Sequence, residues 1–498
     1  MKQLFVKKGK VIIDSSPLPY CDENEALVRV AYSVISVGTE TSAVKGSKKE
    51  SLTAQVGRNP SKALKAIDMI KNRGLIETVK TVQAMRKDIE SPQAEASGYS
   101  CSGIVASVGK NLIDIKPGDR VACGGLGKAV HAEVVSVPRN LIVKVPEGVS
   151  LKEAASATIG SIAMQGVRRA DVRIGEYVAV IGMGLIGQIT AQILNAAGCR
   201  AIGNDLIKDK LKVAEKNGIY HTVNITQYDP IKEVLIHTND KGVDACIITA
   251  GSSGDEIVQQ AMEMTRKKGT VVVVGGVGMN LKRRPFYRKE IDFKISCSYG
   301  PGRYDELYEE KGIDYPYGYV RWTENRNMEE YLRMIGEGKI DFTSIVSKEC
   351  KVEEAPEIYK ELKSPENKLM GVILSYDFDE SLIPEPQERT INYAIKDRAV
   401  SEKIKVGLIG AGGFAKGTHL PNLESLSELY NIQAIASRNG ANAKETAKKF
   451  KAKYATTDYQ QILQDPEIDM VLIVTRHHVH TQIAIFFFVL TGDFRLLP

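Results

Sequence analysis

The sequence lacks the features that define several broad classes of protein. Its seven cysteines are scattered without a C-x-x-C pair, which favours reduced thiols in the cytoplasm over a disulfide framework. It has no run of about 18 apolar residues that would predict a membrane span, and its first residues, MKQLFVKKGKV, lack the apolar core of a signal peptide. The net charge of +6 comes from 67 basic and 61 acidic residues without a basic tract. We therefore expect a cytoplasmic protein with no membrane or nucleic acid partner.

The 498 residues are too many for one ordinary domain, and the order of patterns predicts three domains and a linker. Residues 1–150 alternate as short strands with polar turns and predict a β-rich domain, which residues of about 300–376 complete. Residues 151–299 alternate strands and helices, as in a doubly wound parallel sheet. Residues 377–402 are charged and contain prolines, which is typical of a linker. Residues 403–498 begin a second α/β domain.

A dinucleotide-binding fingerprint lies in the middle of the chain. A short apolar run at Tyr177 to Ile181 predicts a buried parallel strand, and glycines in G-x-G-x-x-G spacing, an alanine-rich helix and a second strand follow. The glycines allow a tight turn, close approach to a pyrophosphate and close helix–strand packing, while the helix N-terminus offers N–H groups to phosphate. A glycine-rich turn in some other α/β domain is the alternative. The predicted cofactor-binding residues here are Gly182, Gly184, Leu185, Ile186, Gly187 and Asp205.

Asp205 ends the second strand of this fingerprint and bears on the choice of cofactor. A carboxylate at this place accepts hydrogen bonds from an adenosine ribose and repels a 2′-phosphate, which favours NAD over NADP. Leu206 and Ile207 supply no arginine that would compensate the 2′-phosphate. The sequence predicts NAD, with NADP as the alternative.

A second α/β start, IKVGLIGAGGFAKGTHLPNL, follows the predicted linker. Its Gly410, Gly412 and Ala415 have G-x-G-x-x-A spacing, and we predict that they bind a second dinucleotide. Ser437 and Arg438 occupy the place that Asp205 has in the first fingerprint, which suits NADP or is indifferent.

Two families resemble successive parts of the chain. The segments SVGTE, SGYSCSGIVASVG, IKPGDRV and GVDACIITAG, together with the glycine fingerprint, resemble the medium-chain dehydrogenase/reductase family over Met1 to about Tyr376. The segments VGLIGAGGFAKGTHLPNL and TDYQQILQDPEIDMVLIVTRHHVH resemble the start of the glucose–fructose oxidoreductase and inositol dehydrogenase (Gfo/Idh/MocA) family over Ile404 to about Ile485. The order is similar to that of two-part oxidoreductases from bacterial surface-polysaccharide clusters. This resemblance implies a GroES-like β-rich catalytic domain, a Rossmann domain, a second and incomplete Rossmann domain, and a homo-oligomer.

The zinc ligands of alcohol dehydrogenases are missing at the positions that the resemblance implies. Val37, Tyr99 and Ala157 stand there, whereas a catalytic zinc needs about three nitrogen, sulfur or oxygen ligands and an open position. The family's four-cysteine loop is absent, and residues 50–90 have instead the apolar spacing of two helices. We predict no zinc and no other metal. The histidines before residue 400 are too few and too scattered for a substitute site: they are His131, His221 and His237.

Without a Lewis acid, oxidation of an alcohol needs a general base and a group that stabilises the charge on oxygen. Thr39 stands at the family's proton-relay position, Tyr99 replaces a metal ligand and could point its phenol at the nicotinamide, and Glu40 is the nearby acid. These three are the candidate catalytic residues. The alternative is that Tyr99 is a core aromatic and Glu40 a structural hydrogen-bonding partner.

A tyrosine-rich segment between residues 299 and 327 offers phenols and guanidinium groups that suit a sugar or a phosphate-bearing substrate. A stiff surface loop or a dimer contact is an equal alternative. The residues in question are Tyr299, Arg303, Tyr304, Tyr315, Tyr319 and Arg321.

The end of the chain, FFFVLTGDFRLLP, stands where the resemblance implies an E-K-P motif with a catalytic lysine, so we expect the second domain to be catalytically incomplete. The first hypothesis for function is an NAD-dependent, zinc-independent oxidoreductase of a sugar or nucleotide sugar. The alternatives are a non-catalytic nucleotide-binding partner of a polysaccharide-pathway enzyme and a quinone-reductase-like NADPH enzyme.

Overall fold

The computed structural model describes residues 1–7, 9–38, 40, 94–364, 367–378, 389–393, 403–475, 480–481 and 483–485. The helices predicted within 50–90 and most of the predicted linker lie outside these residues. By its contacts the chain divides into two compact units. Unit 1 takes the described residues of Leu18–Gly38 and Gly98–Gln387, and unit 2 takes those of Lys2–Pro17, Thr39–Ser97 and Glu388–Pro498.

The strands are numbered along the chain. They are β1 (Lys2–Lys7), β2 (Lys10–Ser15), β3 (Glu25–Ser36), β4 (Glu95–Ala96), β5 (Ser100–Val108), β6 (Arg120–Gly124), β7 (Val134–Pro138), β8 (Ile142–Lys144), β9 (Tyr177–Ile181), β10 (Arg200–Asp205), β11 (His221–Asn224), β12 (Val243–Ile248), β13 (Thr265–Val273), β14 (Asp292–Ile295), β15 (Val346–Lys351), β16 (Gly371–Ser375), β17 (Thr390–Asn392), β18 (Ile404–Ile409), β19 (Tyr430–Ala436), β20 (Tyr454–Thr456) and β21 (Met470–Ile473).

The helices are numbered in the same way. They are α1 (Leu151–Ala154), α2 (Ala157–Ala170), α3 (Leu185–Ala196), α4 (Lys208–Lys216), α5 (Pro230–His237), α6 (Glu256–Met264), α7 (Arg283–Lys289), α8 (Glu306–Glu309), α9 (Glu324–Gly336), α10 (Ala355–Leu362), α11 (Leu420–Ser425), α12 (Gly440–Phe450) and α13 (Tyr459–Gln464). A π-helical turn, Ala415–His419, precedes α11. None of the described helices combines the length and apolar character that crossing a lipid bilayer demands.

Unit 1 contains two sheets. The six-stranded sheet has the order β11-β10-β9-β12-β13-β14 and is parallel throughout, which is the doubly wound arrangement that the sequence predicts. Residues of β9 alternate between its two faces: Val178 and Val180 pack in the core that includes α2 and α3, and Ala179 and Ile181 pack in the core that includes α5 and α6. The other sheet has the order β15-β16-β3-β5-β6-β8, with β7 paired to β3.

Unit 2 contains a five-stranded sheet, β17-β20-β19-β18-β21, and a three-stranded sheet, β2-β1-β4. The first is parallel except for β17, which lies within the predicted linker and pairs antiparallel with β20 at the sheet edge. The second contains the first hairpin of the chain, which the contacts group with the distant α/β domain rather than with residues 18–38. The domain boundaries given above remain predictions.

One helix is shorter than its pattern predicts. The pattern DEIVQQAMEMTRKKG favours a single helix, but α6 ends at Met264 and β13 begins at Thr265. Thr265 has extended backbone angles, and it pairs with Val243 of β12. Pairing with the parallel sheet therefore overrides the helical propensity of the last five residues.

Candidate functional site

The turn after β9 has the backbone that the first fingerprint predicts. Gly182 has φ 96°, a conformation that favours glycine, and a Cβ there would lie 2.8 Å from Ala250. A Cβ on Gly187 would overlap the carbonyl oxygen of Gly182, whereas a Cβ on Gly184 would meet open space. The first and third glycines thus serve the turn and the helix packing, and the second leaves the surface of the turn clear.

Helix α3 begins directly at this turn. Its N-cap is Gly184, and no side chain caps the first turn of the helix. Leu185 is buried and Ile186 packs against the same core, so the side chains of these two residues point into the core. Their backbone N–H groups, at the positive end of the helix dipole, are what they can offer to a phosphate.

Asp205 lies at the carboxyl end of β10 beside the glycine turn. Its Oδ2 accepts a hydrogen bond from the Met183 N–H at 2.7 Å, and its Oδ1 accepts one from the Ile207 N–H at 2.8 Å. These bonds fix the carboxylate and also hold the turn. Each oxygen retains a lone pair, since a carboxylate can accept about four hydrogen bonds.

Two of the three predicted catalytic residues lie among the described residues, one in each unit. Tyr99 is 5% exposed and belongs to the hydrophobic core of unit 1. Glu40 is buried in unit 2, where its Oε2 accepts a hydrogen bond from Ser97 Oγ at 3.0 Å. Thr39 lies outside the described residues. The catalytic roles of the three residues stay predictions.

The three positions at which the resemblance implies zinc ligands hold side chains that offer at most one donor atom between them. Ala157 is fully buried as the first residue of α2, and it lies with Tyr99 in the core of unit 1. Val37 and Ala157 carry no donor atom, and Tyr99 offers one phenol oxygen. Zinc requires about three nitrogen, sulfur or carboxylate ligands.

A buried polar group that is not among the predicted site residues packs against Gly98, the residue before Tyr99. His131 is fully buried, and its imidazole packs so closely on Gly98 that a Cβ there would lie 2.8 Å from its ring. Its Nδ1 shares a 2.8 Å hydrogen bond with Ser33 Oγ, which in turn lies 2.9 Å from the hydroxyl of Tyr376. This chain of groups joins β3 to the residue after β16. The signal is a histidine in a histidine-poor chain, but its partner Ser33 is 98 residues away in the sequence, and Ser33 in turn contacts Tyr376, 343 residues further on.

The tyrosine-rich segment is largely occupied by contacts within itself. Arg303 Nη1 lies 2.6 Å from Glu309 Oε1, and its guanidinium stacks on Tyr299 and Tyr304. Tyr315 donates its hydroxyl hydrogen bond to Asp305 at 2.5 Å.

At the other end of the segment, Tyr319 is exposed to solvent and Arg321 stacks on an aromatic ring. Tyr319 is 90% exposed, and the guanidinium of Arg321 lies 3.7 Å from the ring centroid of Trp322. These contacts favour a braced loop, and they leave Tyr319 as its most accessible phenol among the predicted set.

Glu324, the first residue of α9, is the most unusual carboxyl group near this segment. It is fully buried, and neither oxygen has a hydrogen-bond partner among the described residues. Burial raises the pKa of Glu324 to about 9; the charge of Glu309 adds to the shift and Arg303 opposes it. The group is therefore neutral at pH 7. Nothing in the sequence pattern marked it, because glutamate at a helix start is usually exposed.

The second fingerprint in unit 2 has the same type of turn. Gly410 has φ 102°, and a Cβ there would lie 2.5 Å from the carbonyl oxygen of Val474, whereas Gly412 faces open space. Ala415 is fully buried at the start of the π-helical turn. Asn442 Nδ2 donates to Ser437 Oγ at 2.9 Å and so fixes the end of β19.

The parallel sheets and glycine turns are those of nucleotide-binding oxidoreductase folds. Comparison with known proteins shows which families of this class the chain resembles. Residues 186–311 match the family described as zinc-binding dehydrogenase, and residues 404–489 match the oxidoreductase family with an NAD-binding Rossmann fold. The chain therefore carries a medium-chain dehydrogenase domain followed by a Rossmann domain of the Gfo/Idh/MocA type, which confirms the predicted order.

Relatives of known activity and known structure cover the first part. D-guloside 3-dehydrogenase of Escherichia coli (strain K12) is 29% identical over 286 residues, which are 55% of this chain and 76% of the relative. Sorbitol dehydrogenase of Bacillus subtilis (strain 168) is 28% identical over 249 residues, 44% of this chain and 68% of the relative. The structure of alcohol dehydrogenase TADH from Thermus sp. ATN1 covers 76% of this chain and all of its own, with a TM-score of 0.56 and 21% identity, and shows the shared fold.

Proposed function

We propose that the protein is an NAD-dependent oxidoreductase that acts on a hydroxyl or carbonyl group of a sugar or nucleotide sugar without a catalytic zinc. The observation that carries the proposal is a complete fingerprint, from Gly182 to Asp205, in a domain whose zinc-ligand positions hold Val37, Tyr99 and Ala157. The names of the relatives, a guloside and a sorbitol dehydrogenase, support a sugar or polyol substrate. The order of the two domains supports a role in surface-polysaccharide synthesis in the cytoplasm, as a homo-oligomer.

In this proposal the turn and helix α3 bind the pyrophosphate through backbone N–H groups, and Asp205 accepts the ribose hydroxyls. NAD would supply the hydride acceptor for the carbon that carries the hydroxyl group. Asp205 favours NAD because its carboxylate would lie against a 2′-phosphate. Gly410, Gly412 and Ala415 are proposed to hold a second dinucleotide.

The hydroxyl proton must leave as the hydride leaves, and without zinc a side chain must take it. Thr39, Tyr99 and Glu40 remain the proposed candidates. The hydrogen-bonded groups of Ser33, His131 and Tyr376 are an additional candidate route, since His131 has an imidazole in contact with the residue before Tyr99.

Purified full-length protein tests the proposal in two steps. Titration with NADH and with NADPH, followed by nicotinamide fluorescence, should show tighter binding of NADH. Turnover with a panel of UDP- and GDP-sugars should then exchange hydride without added zinc and in the presence of a chelator. Activity that a chelator abolishes and zinc restores, while the melting temperature stays unchanged by either treatment, would contradict the zinc-free mechanism.

The other candidate functions give different results in the same experiments. The lack of zinc ligands at these positions also suits a non-catalytic nucleotide-binding partner. Such a protein would bind NADH, but no sugar of the panel would exchange hydride with it. A quinone-reductase-like enzyme would bind NADPH more tightly than NADH and reduce a quinone.

A further inference from the structure

Three side chains of types that can bind a metal ion meet at the edge of the six-stranded sheet. His221 is the first residue of β11, which is the edge strand, and Glu233 and His237 lie on α5. Residues four apart on a helix project from the same face. Among the residues that the structure describes, this is the one group of three histidine, cysteine or acidic side chains with ligand atoms close enough to hold an ion.

The three side chains converge within the distance that one ion spans. Their ligand atoms all lie within 4.8 Å of one another, and His221 Nε2 is 4.0 Å from Glu233 Oε2. The rings of His221 and His237 have centroids 3.6 Å apart. Ligands of a tetrahedral zinc ion lie about 3.3 Å apart, given bonds near 2.0–2.2 Å, so small side-chain rotations would complete the geometry.

Core packing and helix capping fix the backbone that carries these side chains. Val223 of β11 and Val234 of α5 are fully or almost fully buried in the same core. Asp229 caps α5, accepting a hydrogen bond from the Ile231 N–H at 2.9 Å, and Pro230 is the first residue of the helix. Rigid elements therefore hold the three ligands, which are themselves half-buried with access to solvent.

The group is separate from the cofactor turn. His221 pairs with Ile202, three residues before Asp205, which places it about 10 Å from the carboxyl edge along the strand. The rings of His221 and His237 thus lie toward the amino edge of the sheet, where α5 ends. An ion bound there would have a structural role, because its ligands come from two elements, edge strand β11 and helix α5.

We propose that His221, Glu233 and His237 bind one divalent transition-metal ion of the Zn²⁺ type, which links edge strand β11 to helix α5. Two imidazole nitrogens and one carboxylate are a ligand set that zinc prefers, and water would occupy the remaining position. This revises the expectation that the histidines are too scattered to form a site: two of the three lie in contact. The proposal is independent of the proposed function, because it concerns a different edge of the sheet.

Zinc binding to the full-length protein tests the site. After treatment with a chelator and its removal, Zn²⁺ is titrated by calorimetry, and the melting temperature is measured with and without Zn²⁺. We expect one strongly bound ion per chain and a higher melting temperature with zinc. Loss of a direct ligand in His221→Asn or His237→Asn should weaken Zn²⁺ affinity about 100-fold, the upper end of what outer partners cost.

Matched variants and a spectroscopic measurement decide the result. Glu233→Gln should also weaken binding, whereas Glu263→Gln on the neighbouring helix α6 and His419→Asn in unit 2 should leave it unchanged. X-ray absorption of the zinc-loaded wild type should count two imidazole ligands and no sulfur, and it needs no variant to fold. Unchanged affinity in the two histidine variants, a sulfur ligand, or no binding by the wild type would each overturn the proposal.

Discussion

At the scale of single residues, two carboxyl groups are informative: Asp205, which is half-buried, and Glu324, which is fully buried. Asp205 is held by two backbone N–H groups, so its charge is compensated and its position is set. Glu324 is buried without such donors, and its raised pKa is the consequence. The first follows from the local order strand–turn–helix–strand and could be predicted. The second depends on the packing of segments from Tyr299 to α9, which no local pattern reveals.

Replacement of Glu324 by glutamine should stabilise the protein at neutral and alkaline pH. The folded pKa of about 9 lies above the unfolded value near 4.5, so the folded state holds the proton more tightly and stability falls as pH rises between these values. At pH 7 this costs about 3 kcal/mol relative to acid pH. Urea unfolding at pH 5, 7 and 9 should therefore show a smaller decline for Glu324→Gln than for the wild type.

The exposed Glu329 on the same helix provides the control for this prediction. Glu329→Gln removes the same charge without the burial, so its stability should follow the wild-type pH dependence within error. A wild-type protein equally stable at pH 5 and pH 9 would show that Glu324 is ionised in the fold.

At the scale of elements, the sequence predicts those helices and strands whose bounds depend on residues close together in the sequence. The strand β9, the glycine turn, α3 and β10 are local in sequence, and they form with nearly the predicted bounds. The end of α6 differs from the prediction because Thr265 pairs with Val243 of a neighbouring strand, a contact between residues 22 apart in the sequence. The proximity of His221 and His237 is not predicted from the sequence for the same reason, since β11 and α5 come together only in the folded domain.

The glycine turn allows stability and cofactor binding to be separated. Gly187→Ala would push a methyl group into the carbonyl of Gly182 and should cost about 1–3 kcal/mol, with weaker NADH binding. Gly184→Ala meets open space at φ −74°, so it should keep wild-type stability but weaken NADH binding, because its methyl group points where a pyrophosphate would approach. Thermal unfolding and NADH fluorescence on both variants measure the two effects. Equal stability losses would contradict this assignment.

At the scale of the whole chain, the first hairpin belongs by its contacts to unit 2. Lys444 of α12 is 2% exposed, and its Nζ lies 2.6 Å from Asp14 Oδ2, donates to the carbonyl oxygen of Ser15 and stands 5.4 Å from the ring of Phe5. The Cβ of any residue replacing Gly440 would overlap the carbonyl of Pro17. A pattern of alternating residues at the start of a chain indicates a strand, but it carries no information about a partner that lies more than 400 residues later.

Loss of the Lys444 ammonium should loosen the hairpin together with α12. Lys444→Met leaves the more exposed Lys448, 3.1 Å away, as the cationic partner of Asp14 among the described residues, and should cost about 1–3 kcal/mol in the stability of unit 2. Lys448→Met is the matched control, and its effect should be smaller because Lys448 is 43% exposed. Hydrogen exchange should quicken in β1, β2 and α12 of Lys444→Met, while β9 and β10 exchange as in the wild type.

The same ion pair predicts a dependence on pH that distinguishes it from simple packing. Burial alone would raise the pKa of Asp14, but the hydrogen bonds and charges of Lys444 and Lys448 outweigh it, so the pKa is lowered. A lowered folded pKa contributes stability that is present above the unfolded value of 3.8 and is lost as pH falls through the folded value. The exchange difference between wild type and Lys444→Met should therefore shrink below about pH 4, since protonated Asp14 no longer attracts the lysine. A difference that stays constant down to pH 3 would assign the effect to the lysine's methylene contacts with Phe5, and the hairpin would then be held by packing rather than by charge.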